Sequence, residues 1–289
     1  LYDMQHIDRM KKFYTLNATI FAKVTLPVNI TYDMNFTPRY EWYHYGNHQS
    51  SAHEAWAAKG GMSERIQKIS FGWQIDNIFK WNYTFNKIHT IDATFLVNAE
   101  KFQVWRTQQN NEGYDNDSNG WHHMGTGILP TLGTVDESAT GDALMGRLHY
   151  SLMDRYMITA TIRRDGASAF GRNNPHATFP SIGLAWNVKE EKFMSKFNWL
   201  DYSRLRVSWG KNGNSDIGRY ETLSSLLDRK YLYQKPDGTL YYPLVLAADK
   251  MGNEDLKWET TKALNFGLDV SVFNGRLTAN IEGYKMNTN

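Results

Sequence analysis

Cysteine is missing from all 289 residues, which removes disulfide frameworks, thiolate metal sites and cysteine nucleophiles together. No apolar run of about eighteen residues occurs, so a transmembrane helix is excluded. An excess of one charge is missing too: 32 basic against 30 acidic residues leave +2, no electrostatic ground for a nucleic-acid partner or a strongly acidic ligand. The Ser, His and Asp residues are scattered, with no nucleophile elbow and no carboxylate pair placed to raise its acidity, so no enzyme is expected. No signal peptide is recognisable and Leu1 is not an initiator Met, so the sequence is expected to begin inside a longer or processed chain.

Aromatic side chains are abundant instead. Ten Trp and seventeen Tyr are many for a chain this hydrophilic, and they suit a membrane β-barrel, where only alternate residues meet lipid and aromatic girdles mark the interfaces. The stretch from Asp142 to Trp186 shows the required alternation most plainly. Leu144, Leu148, Tyr150 and Leu152 share one face against Arg147, His149 and Ser151. Next, Tyr156, Ile158, Ala160 and Ile162 oppose Thr159, Thr161 and Arg163; then Ile182, Leu184, Trp186 and Val188 oppose Ser181, Gly183, Ala185 and Asn187. The wet face carries few bulky apolar groups, so it does not read as the inner layer of a sandwich.

The same period of two recurs at both ends of the chain. It appears in Tyr14 to Val24, Val28 to Phe36, Ile69 to Ile75, Ile91 to Val97, Leu205 to Trp209, Leu264 to Val272 and Leu277 to Ile281, predicting about ten strands. Short turns are expected after Leu26, near Asn86, at Met153-Asp154 and at Asn274-Gly275, the last a two-residue primed hairpin. Long polar connections are expected at 45–63, 108–140 and 214–254, a shorter one at 166–177, and a helical turn near Glu190 to Phe193. Alternating short and long connections are the mark of an outer-membrane barrel, with tight turns on the periplasmic side and long loops outside. The faces then divide in tolerance: Leu148, Ile158, Leu184, Val207 and Phe266 should reject a charge, while Ser151, Thr161 and Asn265 should accept one.

Three motifs carry a resemblance. The first is Arg163-Arg164-Asp165-Gly166-Ala167-Ser168 with Phe170-Gly171, followed by Phe179-Pro180-Ser181 and Gly183 to Trp186. The second is Leu205-Arg206-Val207-Ser208-Trp209-Gly210 with Gly213-Asn214, Ile217-Gly218 and Tyr220. The third is Asn253, Leu256-Lys257-Trp258-Glu259-Thr260-Thr261, Asn265, Gly267-Leu268-Asp269, Phe273 and Arg276-Leu277. Together they resemble the SusC/RagA family of TonB-dependent outer-membrane transporters of Bacteroidetes, specifically over Leu144 to Tyr284. Ala169, Lys211-Asn212 and Glu254 depart from the family pattern without touching the strand alternation.

The resemblance implies an all-β, 22-stranded transmembrane barrel plugged by an N-terminal domain. It also implies import of glycan fragments or oligopeptides, a SusD-like lid lipoprotein, and energy from the TonB-ExbB-ExbD complex. Residues 1–289 would then be a portion of that barrel, with the plug, the TonB box and the C-terminal strands outside it. Two readings stand beside it: a passive porin-like barrel, and a soluble carbohydrate-binding or adhesive β protein. A barrel enzyme would need a Ser/His pair at the outer rim.

Candidate ligand-binding residues follow. Tyr43, Trp56, Tyr114 and Trp121, assigned to the long loops, suit stacking on sugar rings or packing of the loops against one another. Arg147, Arg163, Arg204 and Arg206, on the wet face, suit a substrate track or a charge lattice with Asp and Glu. Asp115, Asp117 and Asn119 match the first half of a calcium loop, although the twelfth position is Thr126 instead of a bidentate Glu, and the same residues suit an Asx-rich turn. His122 and His123 are adjacent, so on a strand they would point to opposite faces and not share a metal. Beyond a possible loop calcium no cofactor is expected.

Overall fold

The structure is a computed structural model and describes residues 3–230, 232–241 and 243–289. Among the described residues fifteen strands occur in chain order: β1 (Ile7–Asn17), β2 (Ile20–Leu26), β3 (Ile30–Gln49), β4 (Met62–Phe85), β5 (His89–Glu112), β6 (Thr131–Leu152), β7 (Tyr156–Ala167), β8 (His176–Asn187), β9 (Leu200–Asn214), β10 (Ser225–Lys230), β11 (Tyr233–Gln234), β12 (Leu240–Tyr241), β13 (Leu244–Lys250), β14 (Glu259–Val272) and β15 (Leu277–Thr288). Eleven of them make one sheet in the order β1-β3-β4-β5-β6-β7-β8-β9-β14-β15, with β2 also on β3. No helix among the described residues is long and apolar enough to cross a membrane.

Alternation predicted the strands, and the structure lengthens most of them. β3 continues through Gln49, β5 through Glu112, and β6 begins at Thr131, so the loops expected at 45–63 and 108–140 shrink to 50–61 and 113–130. The lost loop residues are mostly polar and lack a continuous apolar face, and pairing with a neighbour, as of 45–49 with residues 7–11 of β1, keeps them extended. The single run expected from Tyr14 to Val24 is broken at Ala18 and Thr19 into β1 and β2. The connection after β9 is not a plain loop, because it holds two small antiparallel pairs, β10 with β13 and β11 with β12. The expected helical turn is present as two short 3-10 turns, Val188–Glu190 and Lys192–Lys196.

The chain divides into two compact units, one comprising residues up to Ala22, 35–75 and 99–140, the other 23–34, 76–98 and 141–289. In the second unit the pairing register sorts the side chains into rows. One row runs Tyr150, Ile158, Leu184, Val207 and Phe266; the row beside it on the same face runs Leu152, Tyr156, Trp186, Leu205, Leu268 and Ile281. On the opposite face His149, Thr159, Gly183, Ser208 and Asn265 align. The apolar face is the open one: Leu184, Phe266 and Ile281 of these rows, and Leu148 in the next row, are each more than half exposed. A sheet that turns its oily face outward over so many strands is an aggregation hazard in water and an ordinary surface in lipid.

The tight turns of this unit share one device. Consecutive residues take left-handed backbone conformations at Val28-Asn29 (φ 58° and 62°), Asn86-Lys87 (50° and 55°) and Met153-Asp154 (53° and 55°), as primed hairpin turns require. The turn between β14 and β15 extends this to Phe273, Asn274 and Gly275, and pairing resumes at Val272 with Leu277, so four residues connect the strands instead of the two expected. Neighbouring turns are tied in series by backbone bonds, with Asn82 N–H donating to Asn29 O at 3.4 Å, Met153 to Ile88 at 2.6 Å, Asn187 to Arg155 at 2.8 Å and Phe273 to Trp199 at 2.9 Å. Aromatic groups cluster beside them: Phe85 stacks on His89 with ring centres 4.4 Å apart, His89 Nδ1 lies 2.7 Å from the Tyr150 hydroxyl, and Trp199 meets Phe273 at 6.5 Å. Trp186 Nε1 donates to Glu191 at 3.1 Å, and the Tyr156 hydroxyl donates to the same carboxylate oxygen. These two bonds hold the Glu191 carboxyl below its ordinary value, Tyr156 being the larger cause. Such a belt is what an interface girdle looks like at residue level.

Candidate functional site

Polar-face residues of β9, β14 and β15 form a charge lattice. Arg206 donates from Nε and Nη2 to the two Asp269 oxygens at 2.9 Å each and from Nη2 to Glu282 at 2.9 Å, while Asn280 donates to Asp269 at 2.7 Å. Arg204 donates to Asn187 Oδ1 at 2.7 Å and lies over the Tyr202 ring. Arg163 is paired with Asp165 two residues on, at 2.8 and 2.9 Å. The structure therefore engages three of the four arginines with neighbours on their own face. Arg147, opposite Thr161, makes no ion pair among the described residues and is the one free cation of the set.

In the first unit the two loops fold into a small core. Asn111 is buried and fully satisfied: its Nδ2 donates to Met124 O (2.7 Å) and Gly127 O (3.0 Å), and its Oδ1 accepts from Glu112 N and Leu129 N (3.0 Å each). That single amide closes the loop 113–130 on itself. Trp121, on the short 3-10 turn Gly120–His122, lies against β3 where a Cβ on Gly46 would stand 2.4 Å from the indole, so only glycine admits the ring. His48 Nδ1 contacts Ser63 Oγ at 2.9 Å and Met62 O at 3.0 Å, and its Nε2 faces Asp117 Oδ2 at 3.9 Å. Asp117 also accepts from the Ser51 amide, joining the two loops. Burial pushes the Tyr114 phenol up, opposed by the neighbouring Ser63 hydroxyl.

These positions correct part of the reading of the aromatics. Tyr114 and Trp121 are buried, so they pack the loops and do not offer a face to a sugar. Their polarity-rich surroundings in sequence hid this, since the apolar partners are too few to give a pattern. Tyr43 lies in β3 and not in a loop; its ring stacks on Tyr45 at 6.3 Å and meets Phe13 of β1 edge-on at 6.3 Å, with Lys11 Nζ 5.8 Å above it. Trp56 precedes a short 3-10 turn, half-buried, with Lys59 Nζ 4.7 Å over its ring. Tyr43 and Trp56 are only partly buried.

The acidic loop is used locally. Asn116 Oδ1 accepts from the Ser118 amide at 3.0 Å, an Asx turn, and Asp117 is bonded as described. Asp115 is exposed, and Asn119 contributes its carbonyl to the turn at His122. No group of three or more His, Asp or Glu side chains placed to hold a metal occurs among the described residues, so the calcium expectation rests on the sequence of the loop alone. His122 stacks on Trp121 at 3.8 Å, and the pair lies on a 3-10 turn, not a strand. The Ser63/His48 contact is the nearest thing to a nucleophile pair, but Ser63 is 0% exposed and no substrate reaches it.

One further cluster joins segments that are distant in sequence. The loop 168–175 and the segment 253–258 clasp each other: Phe170 stacks on Trp258 at 4.6 Å, Phe179 meets Trp258 edge-on at 5.5 Å, and Asn173 and Asn174 donate to Asp255 Oδ1 (2.8 Å) and Asp255 O (3.1 Å). A Cβ on Gly171 would stand 1.8 Å from the Glu254 carbonyl oxygen, and one on Gly213 2.1 Å from the Phe179 ring. The three motifs that carry the family resemblance meet here, so their shared residues were the signal, although spacing alone could not bring them together.

Such a sheet, with an oily face outside, a charge lattice inside and clasped long loops, defines a segment of outer-membrane barrel wall. Residues 7–289 match the family described as "TonB dependent receptor-like, beta-barrel", and the chain belongs to that family, one of receptors and not enzymes. It is 33% identical over 248 residues to the TonB-dependent receptor SusC of Bacteroides thetaiotaomicron, covering 78% of this chain and 24% of that protein. It is 31% identical over 226 residues to the TonB-dependent receptor P39 of Formosa agariphila, covering 78% and 21%. Its fold is similar to the structure of the RagAB peptide transporter, with a TM-score of 0.86, 22% identity, and coverage of 99% of this chain and 31% of that one. The SusC/RagA resemblance thus holds for the barrel, and the chain spans about a quarter of the length of these curated relatives.

Proposed function

We propose that the chain is part of the barrel wall of an outer-membrane importer of large polar nutrients, glycan fragments or oligopeptides, driven by the TonB-ExbB-ExbD complex. The observation that carries the reading is the sorting of faces, with Leu148, Leu184 and Phe266 open on one and Arg204, Arg206 and Asp269 bonded on the other. Lipid accounts for the first face and a water-filled lumen for the second. Loops 50–61, 113–130 and 215–258 then stand on the cell exterior and the tight turns in the periplasm. Tyr43, with Tyr45 and Phe13, and Trp56 supply flat apolar surface for a sugar or side chain. In the second unit, taken by itself, Arg147 supplies a free donor on the polar face.

The plug, the TonB box and the remaining strands belong to the rest of the full-length protein, and a SusD-like surface lipoprotein covers the long loops. The unpaired outer edges of β1 and β15 support this reading, since a membrane sheet cannot leave them open. The test is uptake of the cognate nutrient by cells with and without TonB, with pull-down of the full-length protein in mild detergent. Uptake should stop without TonB, and a lipoprotein should co-purify. Uptake that persists would favour the passive porin, and a protein that stays out of the detergent phase would favour the soluble adhesive reading.

A further inference from the structure

Along the outward face, β3 to β8 do not present an even surface. Small residues alternate with large ones across the β6/β7 pair, Gly146 beside Ile162 and Ala160 beside Leu148, and the recess they leave is continued by Phe79 and Phe95 on β4 and β5. The resulting groove holds about 710 Å³, within the range of roughly 300–1,000 Å³ typical of ligand clefts. Its outer walls are open: Phe79, Phe95, Leu148 and Ile162 are all exposed, Phe79 resting on Tyr32 with ring centres 4.9 Å apart.

A cation stands at one end. In the next row on the same face, toward the long loop after β7, Leu144 pairs with Arg164 and Arg164 with Thr178, about 7 Å beyond Ile162 at two residues' rise along the strand. Arg164 is exposed and has no carboxylate partner among the described residues. The acid nearest in register, Asp142, is taken by His176 at 3.2 Å across Gly166. A charge facing the membrane without a partner is costly unless it reaches an anionic headgroup.

We propose that this groove binds one hydrocarbon chain of a phosphorylated membrane lipid, with the lipid phosphate held by Arg164. The inference rests on the outward face meeting lipid. A long apolar trough with one cation at its end matches the amphiphile, whose chain gains burial along the trough while its headgroup completes the guanidinium's hydrogen bonds. A free anion would have no use for the trough, and an apolar partner helix would leave Arg164 unmatched.

The full-length protein, delipidated in mild detergent and incubated with phosphatidylglycerol, should retain one lipid in native mass spectrometry. Gly146→Leu fills the groove without disturbing the strand, since a Cβ there meets only Ile162 at an ordinary 3.9 Å, and should abolish retention. Arg164→Gln should weaken it about fivefold. Retention by Gly146→Leu equal to wild type, an unchanged affinity in Arg164→Gln, or equal retention of diacylglycerol, which has the same chains and no phosphate, would overturn the proposal. Heat-modifiable migration and partition into detergent check the variants' folding and the membrane reading itself: loss of partition sinks that reading, whereas normal partition with no retained lipid sinks only the groove.

Discussion

The medium around Leu184 can be read from one substitution. Leu184 sits between Ile158 and Val207 in the apolar rows and is 53% exposed, so truncation to Ala should lose about half of the roughly 1.5–3 kcal/mol that a fully buried Leu contributes, about 1 kcal/mol. If the face met water, Leu184→Arg would cost about the same, because the guanidinium would be solvated and exposed substitutions stay within about 0.5 kcal/mol. In a bilayer core the charge adds about 2–4 kcal/mol, putting Leu184→Arg at about 3–5 kcal/mol. Asn265→Lys, exposed on the opposite face, should stay within about 0.5 kcal/mol of wild type. Urea unfolding of the full-length protein refolded into phosphatidylcholine vesicles, followed by tryptophan fluorescence, measures all of these. The reasoning fails if Leu184→Arg and Leu184→Ala unfold together, or if Asn265→Lys costs as much as Leu184→Arg.

Other outcomes follow from the turns and the clasp. Ser151→Lys should destabilise, against the expectation from its face, because Ser151 is 5% exposed and its hydroxyl donates to Asp154 at 3.2 Å; the same urea titration reads it. Phe170→Ala empties the clasp of a side chain only 4% exposed and should cost about 3–5 kcal/mol locally, seen as new protease cleavage within 168–175 while the barrel stays resistant. Gly171→Ala should open the same site, since the obstacle is the backbone oxygen of Glu254 and cannot swing aside. Glu191 is held below its ordinary 4.5, so its contribution is complete above that value and is lost as pH falls through the lower folded value. Glu191→Gln should therefore flatten the fall in stability on the acid side of 4.5, measured as the urea midpoint against pH.

How far the sequence could be read depended on which contacts repeat. Period-two alternation at Leu148, Ile158 and Leu184 marked the strands and their lipid face, because lipid asks the same thing of every second residue. Strand ends were harder. Residues such as Asn47 and Gln108 are polar within β3 and β5, where the partner strand and side-chain bonds, Arg9 to Asn47 and Gln108 to Glu64, keep them extended. The sequence left the loop aromatics between stacking and packing for a related reason: what buries Trp121 is the absence of a side chain at Gly46, and an absence 75 positions away leaves no local trace. The arginines were legible as to face, and Asp165 stands two residues from Arg163 on its own strand, while the pairing of Arg206 with Asp269 and Glu282 required the register.

The left-handed pair at Met153 and Asp154 lets Leu152 face Tyr156 and so fixes the count of residues on either side of the bend. Because side chains alternate, adding one residue there would turn a whole strand inside out, sending Arg147 and His149 to the lipid and Leu148 to the water. Each hairpin thus carries its own measure of which way is out before any neighbour is in place. A chain feeding such hairpins into a membrane needs no outside template to tell the oily side from the wet one, only turns that cannot be mis-set.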